Sequence, residues 1–292
     1  MKAFKKFISV VMMTTILTTS LSFAEAKVIN QGNDQIKEMA LTFDDGYSVE
    51  KIRSITSKLD KYGVKGTFFF VGNFIASHKE IIPELEAGGH LVVSHSFSHP
   101  DFTKLTDKGI VGEMENTKIA YTKATNQKIA PYFRPPYGAY NDRVLKVLGA
   151  NHDLYVVMWT IDTLDWKGLS ASEISNTVLS QAGNGKIVLM HTTKHVNTDQ
   201  ALDQIIPALQ KKGYSFVRID EMISKLPPEK QIAGIEKNIA QKPQAQTAET
   251  PTTQKPSTDK DPIASPNKDD EISIPKDKRK AYLYRLLSSV EI

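Results

Sequence analysis

Five short stretches of this 292-residue chain carry the residue types that hydrolytic chemistry needs: Thr42-Phe43-Asp44-Asp45-Gly46, His95-Ser96-Phe97-Ser98-His99, Arg134-Pro135-Pro136-Tyr137-Gly138, Asp162-Thr163-Leu164-Asp165-Trp166 and Leu189-Met190-His191. Each has an ordinary reading on its own. Asp-Asp-Gly is a polar turn whose Asp can cap the next helix. His95 and His99 are two surface histidines ahead of a proline, and the Pro-rich segment is a stiffened turn. Asp162 and Asp165 belong to a turn whose Trp covers the core, and His191 ends an apolar strand as a satisfied structural group. Taken together they suit a different purpose. Two adjacent carboxylates leaving a strand can divide the work, one binding a metal and the other acting as a base, with Gly46 allowing an unusual backbone angle. Two neutral imidazoles plus one carboxylate suit zinc and similar ions and leave positions open for water and substrate. A guanidinium on a rigid loop can brace a carboxylate, and a backbone N–H of that loop can face a developing oxyanion. This is the composition of a divalent-metal hydrolase, in which an activated water attacks an acyl group.

The elements that must position these pieces are legible from Ile36 to about Leu226. Short apolar runs predict strands near Met39–Phe43, Thr67–Val71, Leu91–Ser94, Tyr132–Arg134, Tyr155–Thr160, Ile187–Met190 and Ser215–Val217. Between them, helical spacing predicts Val49–Lys61, Asn73–Ala87, Thr106–Thr125, Asn141–Leu148, Ser170–Ala182 and Asp199–Lys212. Thr106 is an N-cap candidate, and Ser170-Ala-Ser-Glu173 has the capping-box pattern. About seven βα units imply an α/β fold, parallel strands with helices outside them. The five chemical stretches then follow strand ends, the edge where barrels and open α/β sheets gather their sites.

The flanks differ in texture. Residues 1–26 have a basic start, an apolar stretch from Phe7 to Phe23 and Ala24-Glu25-Ala26, the pattern of a secretory signal peptide cut after Ala26. The stretch is too short and too rich in Thr and Ser for a membrane span. Residues 27–35 form a short N-terminal segment. After Pro227-Pro228 the chain turns to Lys, Gln, Thr, Pro and Asp, and 227–292 is expected to be a disordered tail with a candidate short basic helix at 276–290. The absence of cysteine excludes disulfides and thiolate ligands. The formal charge is +4, and removal of residues 1–26 takes away three lysines and one glutamate to leave about +2. Such near balance offers no basic patch for nucleic acid.

The five stretches, in this order, resemble the polysaccharide deacetylase family (the NodB homology domain, carbohydrate esterase family 4), over residues 36–226. The resemblance implies a distorted (β/α)7-type barrel with the active site at the C-terminal ends of the strands. It implies Asp44 as catalytic base, Asp45, His95 and His99 as metal ligands, and Arg134 as the partner that positions Asp44. It further implies the Tyr137 backbone N–H as oxyanion donor, His191 as general acid oriented by Asp165, and Trp166 and Leu189 as walls of a pocket for the acetyl methyl. Zinc is the default ion for such ligands, with cobalt, nickel, manganese and iron able to occupy the same set. One position departs from the family pattern: Thr192 stands where an Asp often follows the last histidine.

The expectation is a secreted or wall-associated enzyme acting on an N-acetylated polysaccharide, with peptidoglycan N-acetylglucosamine as first choice and N-acetylmuramic acid next. Rival readings are an O-acetyl esterase on a glycan and a catalytically silent carbohydrate-binding protein on the same fold. A glycosidase would leave the histidine pair without a role.

Overall fold

The computed structural model describes residues 25–152 and 154–227. The expected signal peptide up to residue 24 and the expected tail from residue 228, with its candidate helix at 276–290, lie outside the described residues. The elements run β1 (Lys27–Ile29), β2 (Glu38–Asp45), α1 (Val49–Lys61), β3 (Thr67–Phe70), α2 (Gly72–Ser77), α3 (Ile81–Ala87), β4 (Leu91–Ser94), α4 (Asp107–Thr125), β5 (Tyr132–Phe133), α5 (Asp142–His152), β6 (Tyr155–Val157), β7 (Ile161–Asp162), α6 (Ala171–Gln181), β8 (Lys186–His191), α7 (Thr198–Lys211), β9 (Ser215–Phe216) and α8 (Ile219–Ser224).

All strand pairs among the described residues are parallel, in the order β1-β6-β5-β4-β3-β2-β8-β7, with β9 beside the start of β2. That order forces curvature. β6 and β7 are separated by six neighbour spacings, about 29 Å on a flat sheet. Yet only Met158-Trp159-Thr160 joins them, and the four residue steps from Val157 to Ile161 span at most about 14 Å. The sheet therefore curls into the distorted barrel that the alternation of strands and helices implies.

Side-chain alternation sorts the strands into two faces. Met39, Leu41 and Phe43 of β2, Phe68 and Phe70 of β3, and Val188 and Met190 of β8 pack outward beneath α1, α2, α3, α6 and α7. Ala40, Phe69, Val93, Val157 and Ile187 form a separate inner cluster. α8 completes that cluster with Ile219, Met222 and Ile223, and its first N–H donates to Thr67 Oγ1 at 3.0 Å. Strands buried on both faces read as continuous apolar runs, which is why Thr67–Phe70 is nearly all phenylalanine. The same alternation puts Thr42 and Asp44 on the inner face of β2, and Leu189 and His191 on that of β8. The register sets Asp44 directly beside His191.

Several predicted elements differ in detail. Asn73–Ala87 is two helices, broken at His78 to Glu80, with Pro83 inside the first turn of α3 where its missing N–H costs nothing. The run Tyr155–Thr160 ends at Val157, and the chain crosses to the other end of the sheet as β7. Two elements were too short to stand out as periodic patterns. β1 lies within 27–35 and pairs with β6, and α8 covers the inner cluster. Ala26 is buried and donates its N–H to Leu145 O at 3.0 Å, a contact that a cut after Ala26 would remove, with Lys27 of β1 then the first residue. The predicted caps form: Thr106 Oγ1 accepts from Gly109 N–H, and Ser170 and Glu173 make the reciprocal box.

Phe69 joins the inner cluster to the guanidinium of Arg134, whose Cζ lies 4.1 Å from the ring centroid. Phe69→Ala should destabilise the protein by about 3–5 kcal/mol in urea unfolding. A loss below about 1 kcal/mol would contradict a packed barrel interior.

Candidate active site

Arg134 follows β5 and is fully buried. Four hydrogen bonds engage all three of its side-chain nitrogens. Nε donates to Val157 O at 3.1 Å, Nη2 to Met158 O at 3.1 Å, and Nη1 to both Thr42 Oγ1 at 2.9 Å and Asp44 Oδ1 at 2.7 Å. Thr42 passes the constraint on by donating to Val188 O at 2.5 Å. Asp44 Oδ1 is thereby fixed, and Oδ2 lies 3.8 Å from His95 Nε2.

Asp45 is next in the strand and should point to the opposite face. Its φ of 84° re-aims it, so that both carboxylates reach the same site. A positive φ at a non-glycine residue costs of order 1–3 kcal/mol and persists where neighbours over-determine it. Here Val71 N–H donates to Asp45 O at 3.0 Å. Gly46 follows at φ 114°, where a Cβ would stand 2.5 Å from the Phe74 ring. Thr192 closes the turn from β8. Its N–H and its hydroxyl both donate to Asp44 O, at 3.1 and 2.9 Å, and its Oγ1 accepts from Gly46 N–H at 2.8 Å. The family departure is thus a buried hydroxyl that bridges a carbonyl and an N–H of the Asp-Asp-Gly turn. A carboxylate there could accept from Gly46 but would have nothing to donate to Asp44 O.

His95 and His99 lie after β4. His95 Nδ1 is 2.8 Å from Arg134 O, so its hydrogen belongs on Nδ1 and the Nε2 lone pair faces Asp45 Oδ1 at 3.7 Å. His99 Nε2 lies 3.5 Å from the same oxygen, and the Tyr137 ring packs edge-on against His99 at 4.7 Å. Donor atoms of Asp45, His95 and His99 all lie within 4.8 Å of one another. Burial holds the His95 imidazole down to about 4, against the pull of Asp44, and burial lowers His99 as well. Both rings are neutral at pH 7 with lone pairs available. Burial pushes the Asp45 carboxyl up to about 6; His191 opposes this, and Asp44 and Asp165 add to it. Among the described residues, the guanidinium that reaches the site, Arg134, is committed to Asp44. A buried carboxylate without its own cation, beside two neutral imidazoles, is a donor set that fits a divalent ion.

Opposite this set stands His191. Its Nδ1 lies 2.6 Å from Asp165 Oδ1, and its N–H donates to Asp165 Oδ2 at 2.8 Å. Thr198, at the start of α7, donates to Asp165 Oδ2 at 2.5 Å. Burial disfavours the imidazolium. The hydrogen bond and charge of Asp165, with Asp44 and Asp45 nearby, outweigh it and raise His191 to about 9. Burial likewise opposes the charge of Asp165, but its bonds to His191 and Thr198 leave it below the usual carboxylate range. His191 is therefore charged at pH 7, and its Nε2 is not engaged by Asp165.

The remaining predicted residues lie around this group. Tyr137 sits in a turn with φ 60° and a 72 % exposed side chain. The turn's own hydrogen bonds run from Gly138 N–H to Pro135 O and from Ala139 N–H to Pro136 O, and neither uses the Tyr137 N–H. Leu189 is buried on the inner face two residues before His191. Trp166 follows Asp165 but is 57 % exposed, with Lys167 Nζ 5.1 Å from its ring. Asp162 accepts from Leu164 N–H within its turn. His90 is a core residue that accepts from Gly66 N–H at 3.1 Å. Thr42 belongs to the first stretch but carried no role there, and nothing in the sequence marks Thr198, since single hydroxyls are too common to signal one. A concavity lined by Met114, Pro131 and Tyr132 among others lies away from this group, and the assignment rests on the polar constellation.

The sequence profile described as polysaccharide deacetylase matches residues 31–157. A peptidoglycan-N-acetylglucosamine deacetylase of Bacillus cereus is 36% identical over 189 residues, 63% of this chain and 68% of that protein. The chain belongs to the polysaccharide deacetylase family. A family member from Bacillus subtilis, a peptidoglycan-N-acetylmuramic acid deacetylase, is 33% identical over 195 residues, 66% of this chain and 73% of that protein. Among solved structures, a peptidoglycan N-acetylglucosamine deacetylase superposes with a TM-score of 0.64 at 33% identity, covering 67% of this chain and 92% of that one. A family pseudoenzyme from Bacillus anthracis superposes with the same TM-score of 0.64, at 32% identity and 70% of each chain. Membership in the deacetylase family therefore fixes the barrel and supports a hydrolase acting on amide bonds. Whether a member is catalytic is decided by its side chains.

Two measurements check the local geometry. In Asp165→Asn the His191 imidazole should titrate well below about 9, toward its ordinary value near 6.5, when followed by NMR. An unmoved titration would contradict the pairing. The raised pKa also gives the fold a stabilising contribution, full below the ordinary value and lost as pH rises through about 9. Thr192→Val replaces the hydroxyl with a methyl, takes the acceptor from Gly46 N–H and leaves Asp44 O only the backbone donor of residue 192, and should cost about 1–3 kcal/mol, with Thr192→Ser close to wild type.

Proposed function

We propose that this chain is a secreted, divalent-metal-dependent polysaccharide N-deacetylase, with peptidoglycan N-acetylglucosamine as its principal substrate. One observation carries the reading: Asp44, Asp45, His95 and His99 converge on one side of the barrel mouth while the charged His191–Asp165 pair faces them. A silent binding protein would have no use for a complete set. Zinc is the first choice of ion. The leader pattern of residues 1–26 supports export, and among the described residues no helix is long and apolar enough to cross a membrane.

The chemistry follows from the placement of each group. An amide is a weak electrophile with a poor leaving group. A divalent ion held by Asp45, His95 and His99 would supply Lewis acidity, lowering the pKa of water and polarising the acetyl carbonyl. Asp44, braced through Oδ1 by Arg134, takes the proton of the attacking water on Oδ2. The Tyr137 N–H donates to the oxyanion that develops, a contribution of about 10²–10³ in rate for one such donor. His191, protonated at Nε2, gives its proton to the departing amine, a step usually worth about 10²–10⁴. Asp165 and Thr198 hold the imidazole in that orientation. Leu189 and Trp166 border the space for the acetyl methyl, and acetate and a free amino sugar leave.

Acetate release from peptidoglycan and from N-acetylglucosamine oligomers, with and without added zinc, tests the reading. An O-acetylated xylan in parallel identifies an esterase, and an N-acetylmuramic acid substrate separates the two peptidoglycan sugars. Asp44→Asn should retain zinc and lose at least about 10²-fold in turnover. His99→Ala should lose zinc itself. Near-normal turnover of Asp44→Asn would overturn its role as base.

A further inference from the structure

The two histidines of the candidate metal site are joined by a loop with strained backbone. Ser96 has φ 69° and His99 has φ 62°, the left-handed region that side chains disfavour. Such geometry persists only where the surroundings impose it. Part of the restraint is local: Ser96 Oγ accepts from His99 N–H at 2.9 Å. Part comes from α2, whose first N–H groups donate outward, Gly72 to Ser96 O at 2.8 Å and Asn73 to Phe97 O at 3.0 Å.

The rest comes from one side chain on α4. Glu113 Oε2 accepts from both Phe97 N–H and Ser98 N–H, each at 2.8 Å, and Oε1 accepts from Ser98 Oγ at 2.8 Å. A carboxylate taking three donors at this length makes charge-assisted bonds, stronger than neutral ones. The approach is close on every side. A Cβ at Gly72 would stand 2.6 Å from the Phe97 ring and 2.9 Å from Thr117 Oγ1, and Thr117 donates to Glu113 O at 2.9 Å one turn earlier on α4. α2, α4 and the histidine loop thus meet at a junction with no slack.

We propose that Glu113 is a positioning residue for the metal: it fixes the loop between His95 and His99 so that both imidazoles face Asp45 before any ion arrives. The proposal rests on the reading of Asp45, His95 and His99 as a metal site. Glu113 touches none of the three side chains and takes no part in the chemistry. Outer contacts of this kind typically contribute about 10–100-fold in metal affinity. Their energetic logic is preorganisation, since a loop already held in its strained form has less conformational freedom to lose when the ion binds.

The test is zinc titration of the full chain against a competing chelator, for wild type, Glu113→Ala, Glu113→Asp and Glu113→Gln. Thermal unfolding of each in zinc-free buffer runs alongside. Glu113→Ala should weaken zinc binding by about 10–100-fold. Glu113→Asp keeps the charge but falls short of the loop, and should weaken it as well. Glu113→Gln should restore affinity to within a few-fold, because its Oε1 can accept from both backbone N–H groups while Nε2 donates to Ser98 Oγ. Should Glu113→Ala fail to fold, Asp and Gln carry the comparison. Unchanged zinc affinity in folded Ala or Asp variants, even with a lowered melting temperature, would overturn the proposal and leave Glu113 a structural residue only. If wild type bound no zinc, the metal reading itself would fall, and this proposal with it.

Discussion

A fully buried guanidinium governs this structure. Arg134 sits inside the barrel between Phe69 and Trp159, where an unpaired charge would be prohibitive. It is tolerated because carbonyls from the end of β6, a hydroxyl from β2 and the Asp44 carboxylate meet its donors. The dependence runs both ways. Removing one partner of a buried pair leaves the other uncompensated, typically a loss of about 3–5 kcal/mol. The ion pair therefore fixes where β2, β5 and β6 stand relative to one another. It also presents Asp44 with one oxygen held and the other turned to the site. The carbonyl of the same arginine sets the tautomer of His95.

The rest of the site grows from strand periodicity and one deliberate violation of it. Alternation delivers Asp44 and His191 to the inner face, and parallel register sets them side by side. A second inward carboxylate is out of phase, and only a left-handed residue corrects that. The strain at Asp45 is met by Val71, Gly46 and Thr192, drawn from three different parts of the chain. The site is then electrically divided. Two neutral imidazoles and a carboxylate without its own cation stand on one side, and a charged imidazolium paired with Asp165 on the other.

Much of this was legible in the sequence, and the limits follow from the same physics. Alternating apolar runs gave the parallel α/β architecture because buried strands and amphipathic helices leave distinct periods. The five chemical stretches were legible because unusual residues cluster directly after those strands. Not every short element was. β5 and β9, of two residues each, fall within predicted apolar runs, whereas β1 and β7, of three and two, do not, and pairing partners far along the chain define them. Nor could spacing reveal Thr198 or Glu113. Each is an ordinary helical residue, and its importance lies in a contact across the fold. Thr192 was visible as a departure, but its meaning lay in the backbone groups of β2 that it bridges.

The central claim is that one divalent ion belongs between Asp45, His95 and His99, with Asp44 beside it and His191 across from it. An anomalous difference map from zinc-loaded crystals, collected on both sides of the zinc edge, tests it most directly. The account predicts one strong peak per chain, ligated by one oxygen of Asp45 and the Nε2 atoms of His95 and His99, with Asp44 still bonded to Arg134. A peak bound instead by Asp44, or none at this site under saturating zinc, would contradict it.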